Sequence, residues 1–186
     1  MSLLSMQGGA TGTGTVTLLA PVTNTNRTIT LPDATGTVLT NATTTGFPAG
    51  SVLQVVSATT QSSTSTTSTS FVTTSFSVSI TPTAATNKIL LMLSGGNFDN
   101  NSTSNQGVAA TFYRNSTNIG GTEGIYLARS TTARLLIGGS LLAYDSPSTT
   151  SATTYTLYIK SEAGQSVNFN NSGNLLSTLI AMEIAG

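Results

Sequence analysis

The stretch Ser75-Phe-Ser-Val-Ser-Ile-Thr-Pro82, followed by Lys88-Ile-Leu-Leu-Met-Leu93, decides the fold class. Phe76, Val78 and Ile80 fall on one face, and Ser75, Ser77, Ser79 and Thr81 on the other. That is the two-residue period of a half-buried strand, and Pro82 ends it because proline cannot donate to a ladder. The run from Lys88 to Leu93 is short and almost wholly apolar, as in a central strand covered on both faces. The same alternation recurs outward from this pair. Tyr155, Leu157 and Ile159 alternate with Thr154, Thr156, Tyr158 and Lys160, and Val167 and Phe169 with Asn168 and Asn170. In the last strand Leu176, Thr178, Ile180, Met182 and Ile184 fall on one side. Residues 51–58, 70–74, 108–114, 125–129 and 133–144 are further strand candidates, the last bent at Gly138-Gly139. No window of about ten residues shows helical periodicity with a cap. Residues 47–186 thus predict roughly eight to ten strands with polar turns between them, the pattern of a jelly-roll β-sandwich.

Residues 1–46 differ. They hold two charges, Arg27 and Asp33, and short apolar runs at 16–19, 29–31 and 38–39. Ala-Thr-Gly-Thr occurs at 10–13 and again at 34–37. Strands with so little apolar content cannot build a core alone, and the simplest partner is another copy of themselves. Val16, Leu18, Ile29, Leu31 and Val38 are therefore the candidate trimer or docking contacts, and the stretch around Pro48 reads as the linker to the sandwich. The expected architecture is all-β: a short N-terminal β segment (1–46) that attaches or trimerises, and a C-terminal jelly-roll-like head (47–186), assembled as a homotrimer.

Composition narrows function by exclusion. Of 186 residues, 37 are Thr and 25 Ser, while Lys+Arg and Asp+Glu number six each and His, Cys and Trp are absent. Charged residues make up 6% of the chain, against about 25% in an average soluble domain. Without His or Cys the usual ligands of zinc, iron–sulfur and haem sites are missing, and so are catalytic triads built on them. No cofactor, metal or catalytic residue is expected. Six cations at net charge zero do not form the basic stripe that phosphate binding requires, so no nucleic-acid partner is expected. The longest apolar run is far too short to span a bilayer, and the first residues lack the features of a secretory signal, so no membrane partner is expected either.

Several stretches are similar to tail-fibre proteins of tailed bacteriophages, especially those infecting cyanobacteria. They are Gly14-Thr-Val-Thr-Leu-Leu-Ala-Pro-Val-Thr-Asn-Thr-Asn-Arg-Thr-Ile-Thr-Leu-Pro-Asp-Ala-Thr-Gly-Thr-Val-Leu-Thr40, Phe47-Pro-Ala-Gly-Ser-Val-Leu-Gln-Val-Val-Ser57, Val78-Ser-Ile-Thr-Pro-Thr-Ala-Ala-Thr-Asn-Lys-Ile-Leu90, Asp145-Ser-Pro-Ser-Thr-Thr-Ser-Ala-Thr-Thr-Tyr155 and Met182-Glu-Ile-Ala-Gly186. The resemblance implies a homotrimeric virion protein with an N-terminal attachment segment and a sandwich head, without naming a catalytic residue. The chain lacks the extended shaft of long fibres. A trimeric capsid decoration (cement) protein is therefore the alternative, and a free carbohydrate-binding adhesin a distant one.

On the fibre reading, the chain sits in the virion, contacts other baseplate or capsid proteins, and meets host-surface polysaccharide at one end. The polar loops 97–107, 115–124, 145–154 and 170–174 are expected to cluster there. Asn97, Asp99, Asn101, Asn105 and Asn171 would hydrogen-bond sugar hydroxyls, and Phe98 and Tyr126 would stack on pyranose faces. Phe98 also has a plainer reading, as a plug into its own sandwich or a neighbour. Asp99, Glu123, Asp145 and Glu162 are the carboxylates a glycosidase pair would have to use. Arg114, Arg129 and Arg134 are expected to form salt bridges within or between subunits.

Overall fold

Alternation places the strands much as the sequence suggests. In the computed structural model they are β1 (Val52–Thr60), β2 (Thr64–Thr66), β3 (Val72–Ile80), β4 (Lys88–Asp99), β5 (Gln106–Arg114), β6 (Thr117–Asn118), β7 (Tyr126–Ser130), β8 (Leu136–Asp145), β9 (Thr153–Ser161), β10 (Val167–Phe169) and β11 (Ser177–Ile184). The structure describes residues 13, 24–26, 28, 47–101, 106–171 and 174–186. The chain divides into two compact units, Met1–Thr37 and Val38–Gly186. The expected contacts Val16, Leu18, Ile29, Leu31 and Val38, and the expected boundary at residue 46, lie outside the described residues.

Two antiparallel sheets make a sandwich. One runs β1-β11-β4-β8, with β10 and β2 extending it past the end of β11; the other runs β3-β9-β5-β7, with the short β6 beside β5. The pairings follow a nested rule. β1 lies against β11, β3 against β9, β4 against β8 and β5 against β7. The principal strands therefore form one long hairpin whose two arms run side by side. Rolling it up adds the β11·β4 and β5·β9 pairings. This is a jelly roll.

The core lies between the sheets. Ile89, Leu91 and Leu93 from β4, with Leu179 and Ala181 from β11, face Val78, Ile80, Val108, Ala110, Phe112, Tyr155, Leu157 and Ile159 from the opposite sheet. Residues 70–74 and 75–81 join into the single strand β3. Ser75 takes a positive φ of 60°, and the register slips between Thr73 and Ser77. The Thr74 hydroxyl bridges the irregularity, donating to Leu157 O at 2.8 Å and accepting from Phe76 N at 3.2 Å.

One expectation is overturned by parity. β4 carries a one-residue bulge between Ser94 and Asn97, at Gly95 and Gly96 with φ of 85° and 68°. A bulge exchanges the two faces of a strand. Odd residues point inward before it, and Phe98 points inward after it. What composition suggests is a loop beginning at residue 97 is thus strand as far as Asp99. In β11 the buried residues are Ser177, Leu179, Ala181 and Glu183, whereas Thr178, Ile180, Met182 and Ile184 are only half-buried, on the opposite face. Leu176, just before the strand, is exposed. The inward face tolerates Glu183 because its carboxylate accepts hydrogen bonds from Asn87 Nδ2, Thr83 N, Thr83 Oγ1 and Gln54 Nε2.

Candidate functional site

The end of the sandwich where β4 finishes gathers most of the residues singled out for sugar contact. Asp99, the last residue of β4, is fully buried. Its Oδ1 accepts from Arg134 Nε at 2.9 Å and from Asn101 N at 2.8 Å; its Oδ2 accepts from Arg134 Nη2 and Asn171 Nδ2. Asn97 is also buried; its Oδ1 accepts from Asn171 N at 2.9 Å and its carbonyl from Asn170 N at 2.7 Å. Asn100 Oδ1 accepts from Leu135 N at 2.7 Å, and Asn100 Nδ2 donates to Gln106 O at 3.2 Å. The loops after β4, β7 and β10 are thereby stitched to one carboxylate.

The electrostatics suit a fixed ion pair. Burial pushes the Asp99 carboxyl upward, but the Arg134 guanidinium and the amides of Asn101 and Asn171 outweigh it and hold the group below its ordinary value. At Glu162 the two-pronged bond from Arg129 outweighs burial in the same direction. Carboxylates held ionised in this way cannot donate a proton as a general acid near neutral pH. Among the described residues, no three His, Cys, Asp or Glu residues come together as a metal site would need.

Phe98 is a core residue, which corrects its assignment to a sugar-stacking tip. It is fully buried, with ring centroids 4.8 Å from Tyr126 and 5.4 Å from Phe169. Tyr126 packs against the core as well, and desolvation of its buried hydroxyl pushes its pKa up. The Phe98 ring offers no face to solvent for a pyranose, and Tyr126 is half-buried against it. Asn97 and Asp99 are likewise buried. Asn101 is exposed and Asn171 half-buried, while Asn105 lies outside the described residues. The signal that identifies Phe98 as core is the Gly95-Gly96 pair. A Cβ on Gly95 would meet Leu176 O at 2.3 Å, and one on Gly96 would meet Ser177 Oγ at 2.2 Å, so the bulge depends on glycine.

The four polar loops do not cluster. Those after β4 and β10 lie at the Asp99 end. The loops after β5 and β8 leave from the opposite end, where Arg114, closing β5, donates to the Asp145 carboxylate, which closes β8. Tyr155 OH donates to the same carboxylate at 2.6 Å, and burial, then this bond, push the phenol pKa strongly up. Each arginine among the described residues thus finds a carboxylate within the chain: Arg114 with Asp145, Arg129 with Glu162, Arg134 with Asp99. Glu123 pairs with Lys160, which also sits 4.9 Å over the Phe71 ring.

Part of the outer surface of the β3-β9-β5-β7 sheet is covered by its own chain. Ala109 and Thr111 are fully buried although they point away from the core, and Asn118 and Gly120 lie against Thr111. Thr111 Oγ1 donates to Asn118 Oδ1 at 2.8 Å, and a Cβ on Gly120 would meet Thr111 Oγ1 at 2.3 Å. The outer surface of the β1-β11-β4-β8 sheet carries exposed apolar side chains. Tyr144, Leu142, Val55 and Val52 are 62%, 60%, 55% and 53% exposed.

No protein-family model matches the sequence, and no curated protein matches it. Among solved structures, the fold is similar to the VP2 subviral particle of infectious bursal disease virus, at 20% identity and a TM-score of 0.36 over 72% of this chain and 33% of that one. The Gx strain of the same virus gives 18% identity and a TM-score of 0.36, over 82% of this chain and 38% of that one. The T13 particle gives 16% and 0.34, over 82% and 40%. This chain spans well under half the length of those chains.

Proposed function

We propose that this chain is a non-catalytic structural component of a virus particle, a jelly-roll module that works by packing against neighbouring proteins. The observation that carries the reading is the contrast between its two kinds of surface. The charged groups of the loops are spent inside the chain as ion pairs, while much of one sheet's outer surface is apolar and exposed. Chemistry and charge-based recognition want the reverse. The sequence similarity to phage tail-fibre proteins supports a place in the virion.

Within that reading, a trimeric decoration protein that stabilises a capsid is favoured over a receptor-binding fibre. With Phe98 inside the core and Tyr126 packed against it, Asp99 locked to Arg134, and the polar loops split between two ends, the features expected of a glycan-reading tip are dispersed. The fibre reading keeps the sequence similarity in its favour, and host polysaccharide would then fall to Asn101, Asn171 and Arg134.

Immuno-electron microscopy of purified particles, with antibody raised against the exposed turn at 146–152, tests both levels. Label on the particle is expected, with shell or tail deciding between the two roles. Absence of the chain from purified particles would overturn the proposal.

A further inference from the structure

We infer that the outer surface of the β1-β11-β4-β8 sheet is the interface through which copies of this chain pack together. The inference rests on the proposed structural role and assigns its partner and contact surface. The cross-strand register lays the exposed side chains out in rows. Val55, Met182, Leu90 and Tyr144 form one row across all four strands. Ser57, Ile180, Met92 and Leu142 form the next, and Thr59, Thr178, Ser94 and Ser140 the one beyond. On the other side, Val52 and Ile184 begin a row that ends at Lys88. An antiparallel sheet with one solvated face ordinarily alternates apolar-in with polar-out; here the outward positions of three successive rows are mostly apolar.

Size and charge argue for a second copy as the occupant. Four strands about 4.8 Å apart and three rows about 7 Å apart give roughly 400 Å² in projection. A standard interface takes about 800 Å² per partner. The apolar rows supply its centre, and the hydroxyl row of Thr59, Thr178, Ser94 and Ser140 supplies an uncharged rim, the usual anatomy of such contacts. No carboxylate stands in these rows, and the one cation, Lys88, is at a corner, where its stem can lie along the surface with its head in solvent. A partner with charged groups would find none to pair with them. The same surface on another copy leaves no charge unpaired, and permanent contacts between identical chains are the more apolar class. On the opposite sheet the outward positions of β3 and β9 are mostly hydroxyl-bearing (Thr73, Ser75, Ser77, Ser79, Thr154, Thr156), so it does not offer such an apolar surface.

The test is sedimentation and light scattering of the whole chain, beside Met92→Lys and Leu142→Lys, with Thr156→Lys on the opposite sheet as control. The expected result is a trimer for the parent and the control, and folded monomers, by circular dichroism, for the two sheet variants. A second measurement does not depend on a charge being tolerated. The chain has no Cys, so Leu142→Cys introduces a single thiol, whose maleimide labelling should be slowed at least tenfold in the assembly and restored on dilution to monomer. A parent trimer with unprotected thiol and unaffected lysine variants would overturn this surface while leaving a homotrimer standing. A monomeric parent at tens of micromolar would overturn both, and particle localisation would still judge the virion role separately.

Discussion

Asn87 donates its side-chain amide to Glu183 at 2.6 Å, and that contact pins the loop between β3 and β4 beneath the last strand. Asn87 Oδ1 in turn accepts from Gly186 N at 3.1 Å, so one asparagine ties the final residue to the loop. Glu183 is buried with four hydrogen-bond donors around it and, among the described residues, no cation beside it. Removing its carboxylate strands all four donors. Glu183→Ala is expected to cost about 3 kcal/mol and Glu183→Gln about 2 kcal/mol, because unsatisfied buried groups carry their full desolvation penalty. Urea denaturation with unchanged m-value measures it; a loss below about 0.5 kcal/mol for Glu183→Ala would contradict the account.

The pH profile follows from the same carboxylates. Asp99, Glu162 and Glu183 all have folded pKa values below their ordinary 3.8, 4.5 and 4.5. At Glu183 burial pushes upward, and the bonds from Asn87, Gln54 and Thr83 more than reverse it. The stability these groups confer is therefore complete above their unfolded values and is lost as pH falls through the lower folded ones. The thermal midpoint should stay level from about pH 6 to 8, where a chain without His or Cys has few groups to titrate, and should fall below about pH 4. A midpoint that drops between pH 8 and 6 would contradict this.

Arg134 and Asp99 should show asymmetric costs. Arg134 is about half exposed and Asp99 fully buried, so Arg134→Ala leaves a buried carboxylate with fewer donors. The expected result is a clear fall in the urea midpoint, smaller than for a fully buried pair because water reaches the guanidinium. In a double-mutant cycle with Asp99→Ala, the pair should couple measurably. Strictly additive losses would show that the pair does not hold the loops.

Phe98→Ala should destabilise by about 3 to 5 kcal/mol through loss of core volume, a large fraction of a typical domain's stability. Phe98→Leu should cost markedly less. Thermal melts of the two variants check the ranking. A Phe98→Ala protein as stable as the parent would return this ring to the surface.

Most strands were readable from side-chain alternation, because Phe76, Val78 and Ile80, and likewise Tyr155, Leu157 and Ile159, carry the two-residue period without interruption. Where reading failed, the cause was non-local. Asn97-Phe-Asp-Asn100 has the composition of a loop, yet pairing with Gly138, Ile137 and Leu136 keeps residues 97–99 in a strand. In β11 both faces carry aliphatic side chains, so period alone cannot tell inside from outside. Glu183 settles it against intuition, since its partners Gln54, Thr83 and Asn87 lie about a hundred residues away or more. The Asp99 knot was invisible for the same reason: nothing local links residues 99, 134 and 171.

The nested pairing of β1 with β11 has a consequence for synthesis. The first strand of the sandwich waits for the last, because its ladder partner is made at the far end of the chain. Until residues 177–184 have left the ribosome, β1 and β4 each lack a neighbour on that side, and the sheet that joins them cannot close. Folding of this head thus awaits the synthesis of β11, and its slow step is the docking of distant strands. The incomplete product exposes unpaired apolar strands in the meantime, so a burst of high expression has its greatest hazard of aggregation before the final strand is in place.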